Sequence, residues 1–153
     1  MNFMSMAALR ATLDPVSPLS GPCVIVEGTG TGPVVRIPWG SGTKCGLSGF
    51  VLTKGIGRSA AAVYCAGASP TLSNCLIVGN RCNEVGGAVL YFYDSRAVLT
   101  NCTIADNHAG QDGAGLVLED SDIMVLNSIL WDNSPSEISC RGESEPDIRH
   151  RCS

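Results

Sequence analysis

Apolar positions along the chain come in short runs separated by turn-forming residues, and the runs recur. Leu72-Ser73-Asn74-Cys75-Leu76-Ile77-Val78-Gly79-Asn80 is followed by Leu99-Thr100-Asn101-Cys102-Thr103-Ile104-Ala105-Asp106-Asn107. A third copy reads Val125-Leu126-Asn127-Ser128-Ile129-Leu130-Trp131-Asp132-Asn133. Equivalent residues stand 27 apart (101 − 74), then 26 apart (127 − 101). Leu47, Leu72, Leu99 and Val125 are equivalent at separations of 25, 27 and 26, as are Phe50, Cys75, Cys102 and Ser128, and Leu52, Ile77, Ile104 and Leu130. The upstream part of each unit aligns too, through Val63/Leu90/Leu116, Cys65/Phe92/Leu118 and Pro70/Ala97/Ile123. Register held at so many positions means stacked structural units.

Within a unit the apolar residues alternate with period two, as in Val63/Cys65 and Cys75/Ile77. No stretch carries the 3.6-residue period of a helix. The Asn between Leu72 and Cys75 breaks the alternation. A left-handed residue there would turn the chain while both flanking strands keep apolar residues inward, and Asn tolerates that conformation. Three short strands per unit, joined by such bends, predict an all-β fold. It is a single-stranded right-handed parallel β-helix, a solenoid of about five coils of 25–27 residues, each rising about 4.8 Å. The helix is expected over 21–138. Residues 1–20 are expected to be an irregular lead-in or partial cap, and 139–153 a C-terminal tail or incomplete coil. The recurring apolar columns should line the interior. Asn74, Asn101 and Asn127 are expected to form a ladder of amides bonded coil to coil, because buried polar groups need partners. Asn80, Asn107 and Asn133 are candidates for a second one.

Composition narrows the function classes. The 153 residues suffice for one domain with a core. Net charge is −4, and the basic residues are scattered. Nucleic acid is therefore not expected as a partner, since phosphate contacts need clustered Lys and Arg. No run of about 18 apolar residues exists to span a membrane. The first twenty residues lack the basic start and long apolar stretch of a signal peptide. Eight cysteines occur with no CxxC pair and no zinc spacing. No resident cofactor is expected, calcium being the one ion the carboxylates suggest.

The units resemble the right-handed β-helix repeats of the pectate-lyase-like superfamily, of the kind found in large secreted or surface proteins of bacteria. The words that carry the resemblance are Ala62-Val63-Tyr64-Cys65, Ser69-Pro70-Thr71-Leu72-Ser73-Asn74-Cys75 and Asn101-Cys102-Thr103-Ile104. Asn127 to Pro135 looks like a last full coil. The resemblance implies a secreted or cell-surface setting and a polysaccharide or surface glycan as partner, with neighbouring coils or domains of a longer protein. It is poor for activity, because such repeats host many functions. Pectate lyases of this fold pair calcium-binding aspartates with a basic residue on a neighbouring coil. Polygalacturonases carry a paired-Asp motif, Gly-His-Gly and Arg-x-Lys. None of these strings is present.

Candidate chemistry is therefore sparse. Asp106 and Asp132 are equivalent on adjacent coils, and Asp94, Glu119, Asp120 and Asp122 lie near the exit of the first strand. Such carboxylates can bind calcium or share a proton in glycoside chemistry. Turns between coils also favour Asp for backbone reasons alone. Tyr64, Tyr91 and Tyr93, with Glu119, should form an aromatic ledge facing outward. Aromatic rings flanked by a carboxylate suit sugar binding. His108 and His150 lack a neighbouring nucleophile. Cys75 and Cys102 are expected as free buried thiols, and Cys140 with Cys152 as the pairing an oxidising compartment would favour. Asn101-Cys102-Thr103 is formally a glycosylation sequon, discounted because its Asn belongs to the expected ladder. The leading expectation is a non-catalytic structural or carbohydrate- and surface-binding module. The alternatives are a lyase or hydrolase acting on acidic polysaccharide through Asp106, Asp132, Glu119 or Asp120, and a self-stacking assembly segment.

Overall fold

The computed structural model describes residues 10–13, 24–30, 32–41, 45–83, 88–110 and 114–149. Among these, every regular element is a strand. Two strands lead in, β1 (Arg10–Leu13) and β2 (Val24–Glu27). The first full coil is β3 (Val35–Ile37), β4 (Gly46–Ser48) and β5 (Phe50–Thr53), closed by the short β6 (Ile56–Gly57). The second is β7 (Ala60–Ala66), β8 (Thr71–Ser73) and β9 (Leu76–Val78), closed by β10 (Arg81–Cys82). β11 (Ala88–Tyr93), β12 (Arg96–Thr100) and β13 (Thr103–Ala105) make the third coil. β14 (Ala114–Glu119), β15 (Asp122–Leu126) and β16 (Ile129–Trp131) make the fourth. β17 (Ile138–Arg141) and β18 (Asp147–Arg149) begin a fifth.

Successive coils lay their strands in parallel on three main sheets, and β6 and β10 pair as a short fourth. The first sheet runs β3-β7-β11-β14-β17, the second β4-β8-β12-β15-β18 and the third β1-β2-β5-β9-β13-β16. The expected solenoid is thus present, with four complete coils instead of about five. β17 and β18 stack on β14 and β15 in residues expected to be tail or incomplete coil. Among the described strands β1 runs antiparallel on β2, and a single antiparallel bridge joins Ile56 to Gly32; the other strand pairings are parallel. Apart from β1, the expected lead-in 1–20 lies outside the described residues.

Corners explain the turn composition. Backbone φ is positive along three columns, one per corner. The first holds Gly40, Gly67, Asp94, Asp120 and Gly142, the second Gly49, Asn74, Asn101 and Asn127, and the third Lys54, Gly79, Asp106 and Asp132. Gly, Asn and Asp dominate because other side chains clash in this region. At most of these positions the next residue points inward. Asp94 is followed by Ser95, Asn101 by Cys102 and Asp106 by Asn107.

The interior is one continuous cluster running from Val26 to Val125. Val63, Leu90, Leu116, Cys65, Phe92, Leu118, Leu52, Ile77 and Ile104 are fully buried, as the alternation predicted. Phe50 and Leu130 close the ends of their columns only partly buried. Burial of aliphatic and aromatic side chains at about 25 cal/mol per Å² drives the stacking.

The predicted asparagine ladder needs correcting. Asn74, Asn101 and Asn127 are exposed, and the Asn101 amide reaches Asn74 Oδ1 only at 3.4 Å. A left-handed corner points its side chain outward. The buried ladder is Asn80, Asn107 and Asn133. Gly55 N–H donates to Asn80 Oδ1 at 2.9 Å. Asn80 Nδ2 and N–H donate to Asn107 Oδ1 at 3.1 and 3.0 Å, and Asn107 Nδ2 to Asn133 Oδ1 at 2.9 Å. Each amide also donates one coil back, to the carbonyls of Leu52, Ile77 and Ile104. Gly55 opens the column because a Cβ there would meet Ala61 O at 2.1 Å. Glu137 ends it by accepting from both the N–H and the Nδ2 of Asn133. Ser95 and Ser121 build a smaller ladder at the first corner, with Ser144 below them.

Candidate functional site

The outward face of the first sheet follows from alternation. Because Val63, Cys65, Leu90, Phe92, Leu116 and Leu118 point inward, Tyr64, Tyr91 and Val117 must point out. Strand register lines up Arg36, Tyr64, Tyr91 and Val117 in one column, and Tyr93 with Glu119 in the next. The Tyr64 and Tyr91 rings stack with centroids 5.7 Å apart and planes inclined by 15°. The Arg36 guanidinium sits 4.5 Å from the Tyr64 centroid, a cation–π contact. Val117 is fully buried against Tyr91. Both faces of both rings are therefore taken by the column itself. Tyr91 Oη donates to Glu119 Oε2 at 2.5 Å. Burial first, and then this bond to a carboxylate, push the Tyr91 phenol well above its usual pKa, so it acts as a neutral donor. What the ledge presents to a ligand is ring edges, the Tyr93 ring (38% exposed) and the second oxygen of Glu119.

The candidate carboxylates are split between corners. Asp94 and Asp120 share the first corner with Glu119 beside them on its strand, and Asp120 Oδ1 accepts from Glu143 N–H at 3.1 Å. Asp106 and Asp132 occupy the third corner, on a different edge of the coil. All four aspartates have positive φ, so a backbone reason suffices for each. Asp122 faces out from the second sheet, 3.7 Å from Arg96. Among the described residues no group of three or more His, Cys, Asp or Glu side chains is placed to hold a metal ion.

The remaining sequence candidates are scaffold or surface. His108 is exposed and bridges the backbones of Arg81 and Ser134 in a short ladder beside the third corner. His150 lies outside the described residues. Cys75 and Cys102 are buried free thiols that donate weakly to the carbonyls of Leu47 and Leu72, one coil back. The hydrogen bond to Cys75, then burial, hold the Cys102 thiol above its ordinary pKa. Burial does the same for Cys65. Cys140 is free and exposed, and Cys152 lies outside the described residues. Asn101 is exposed, so the ladder gives no ground for discounting its sequon.

Sequence reasoning missed two features. Trp39 and Trp131 are 66% and 72% exposed. The signal for Trp131 was its phase, since Leu130 fills the inward column and its neighbours must face solvent. On the second sheet an open groove of about 220 Å³ lies over Val98 and Met124, rimmed by Arg96, Asp122, Glu145 and Asp147. One side of its rim, Glu145 and Asp147, comes from the bend between β17 and β18 and the start of β18, which carry no repeat signal.

Coils on three parallel sheets, with inward ladders at the first and third corners, define a parallel β-solenoid. The chain belongs to the right-handed β-helix family: the model of a right handed beta helix region matches residues 39–151, 113 of the 153 (151 − 39 + 1), and supplies the handedness. No curated protein and no solved structure matches the chain.

Proposed function

We propose that this β-helix is a non-catalytic module of a secreted or cell-surface protein that binds glycan through its lateral sheets. The observation that carries this is the division of labour among side chains. The polar residues that look reactive in the sequence are occupied by the scaffold, as corner aspartates, ladder amides and buried thiols. The outward faces of the sheets carry aromatic and hydrogen-bonding groups that neither core nor corners require. On the first sheet the contacts reduce to Tyr93 and Glu119, with Tyr64 and Tyr91 as the buttress that holds Glu119 in place. Small-ligand sites combine an apolar surface with a few fixed polar groups, as this ledge does.

A glycan array tests the proposal. Tyr93→Ala and Glu119→Gln should each weaken retention of any positive glycan by about tenfold, the loss of one good contact of about 1.4 kcal/mol. Unchanged retention in both variants would remove the first-sheet ledge. Release of reducing or unsaturated sugar from polyuronide by the wild-type chain, abolished in Asp132→Asn, would establish the enzymatic alternative instead.

A further inference from the structure

The outward face of the third sheet differs in kind from the other two. Leu52, Ile77 and Ile104 point inward, so the residues flanking them point out. Register sets Val51, Leu76, Thr103 and Ile129 in one outward column and Thr53, Val78, Ala105 and Trp131 in the other. None of these eight residues is charged. Leu76 is 38% exposed, Ile129 60% and Trp131 72%. One rim of the face is the third corner, where Lys54 pairs with Glu27 and where Asp106 and Asp132 sit exposed, one residue past Ala105 and Trp131. The opposite rim is the second corner, where Asn74, Asn101 and Asn127 expose their amides. The result is a flat apolar floor with an open indole, acceptors along one side and amides along the other.

We propose that this face, centred on Trp131, binds a neutral polysaccharide. The inference rests on the module binding glycan, and names a different surface and ligand class from the first-sheet ledge. An exposed indole stacks on the apolar face of a pyranose ring, while rim carboxylates and amides hydrogen-bond its hydroxyls. Charge selects against an acidic glycan. The floor itself carries no cation to pair with a uronate; Lys54, at the first-coil end of the rim, is already paired with Glu27 at 2.6 Å, and Asp106 and Asp132 repel a uronate. Size selects against a protein partner. Four coils at about 4.8 Å and strands about 10 Å long give a face on the order of 200 Å², far below the roughly 800 Å² per partner of a stable protein interface.

Native affinity electrophoresis of the full chain tests this, with soluble β-glucan, xylan and galactomannan as neutral probes and polygalacturonate as the acidic one. At least one neutral polymer should retard the chain and polygalacturonate should not. Trp131→Ala should weaken the retardation about tenfold or more, the effect of losing one aromatic stack. In a Trp39→Phe background the emission of Trp131 should shift on adding the same polymer. Trp131→Ala is at an exposed site and should leave the unfolding midpoint unchanged, which separates lost binding from lost folding. Retardation lost in Tyr93→Ala but kept in Trp131→Ala overturns this inference and leaves the glycan-binding module standing. No retardation by any polymer overturns both. Concentration-dependent size in light scattering that Trp131→Ala abolishes makes the face a self-association surface and also overturns it.

Discussion

At the scale of the residue, conformation explains identity better than reactivity does. Asp94, Asp106, Asp120 and Asp132 look like repeated acid groups until their backbones are considered. Each has φ between 44° and 55°, at a corner whose column also holds Gly in another coil. Asp106→Gly should therefore leave urea-measured stability within about 1 kcal/mol of wild type, since Gly adopts this conformation without strain. Asp106→Val should cost about 1–2 kcal/mol, because a β-branched side chain clashes there. A large loss in the glycine variant would show that the carboxylate, not the backbone, is what the site needs. Tyr91 illustrates the converse. Its identity comes from contact, as a ring between Tyr64 and Val117 and a donor to Glu119.

At the scale of the element, short strands of two to seven residues hold together because every corner satisfies its own polar groups. Among the described residues no buried side-chain nitrogen or oxygen lacks a partner. The asparagine ladder at the third corner does most of this. Asn107→Ala removes the acceptor of Asn80 and the donor to Ile77 O and Asn133 Oδ1. Leaving such groups buried and unpaired costs about 1–3 kcal/mol each, so the variant should lose at least about 2 kcal/mol. Asn101→Ala, at an exposed corner, should lose only the left-handed preference, about 1 kcal/mol. Equal losses in chemical denaturation would mean that the two columns do the same work. The repeat made both columns visible, but it did not say which was inside. Alternation breaks at each corner, and a one-residue change of phase there exchanges solvent for core.

At the scale of the whole molecule, one core cluster spans all four coils. Stacked repeats contact only their neighbours, so cooperativity depends on how strongly adjacent coils are coupled. Here each coil boundary carries three parallel pairings and inward ladders, which argues for unfolding as a unit. Trp39, at the first corner of the first coil, and Trp131, in the fourth, report on opposite ends. Single-tryptophan variants Trp39→Phe and Trp131→Phe should give coincident guanidinium midpoints. Separated midpoints would show coils unzipping from one end. The same scale sets where binding can occur. Three lateral faces are available, and they differ in charge: Arg36 and Glu119 on the first, Arg96 and Asp122 on the second, none across four coils of the third.

Spacing and alternation alone determined the solenoid, the length of its coils, the inward columns and the outward phase of Tyr64, Tyr91 and Glu119, because each follows from period and register. Four outcomes needed the tertiary structure. They are the burial of Asn80, Asn107 and Asn133 rather than Asn74, Asn101 and Asn127, the occupation of both Tyr64 and Tyr91 ring faces, the separation of the aspartates onto two corners, and the open indole of Trp131. The reason is common to all. They depend on which way a corner turns and what the next coil places against it, and one-dimensional periodicity carries neither.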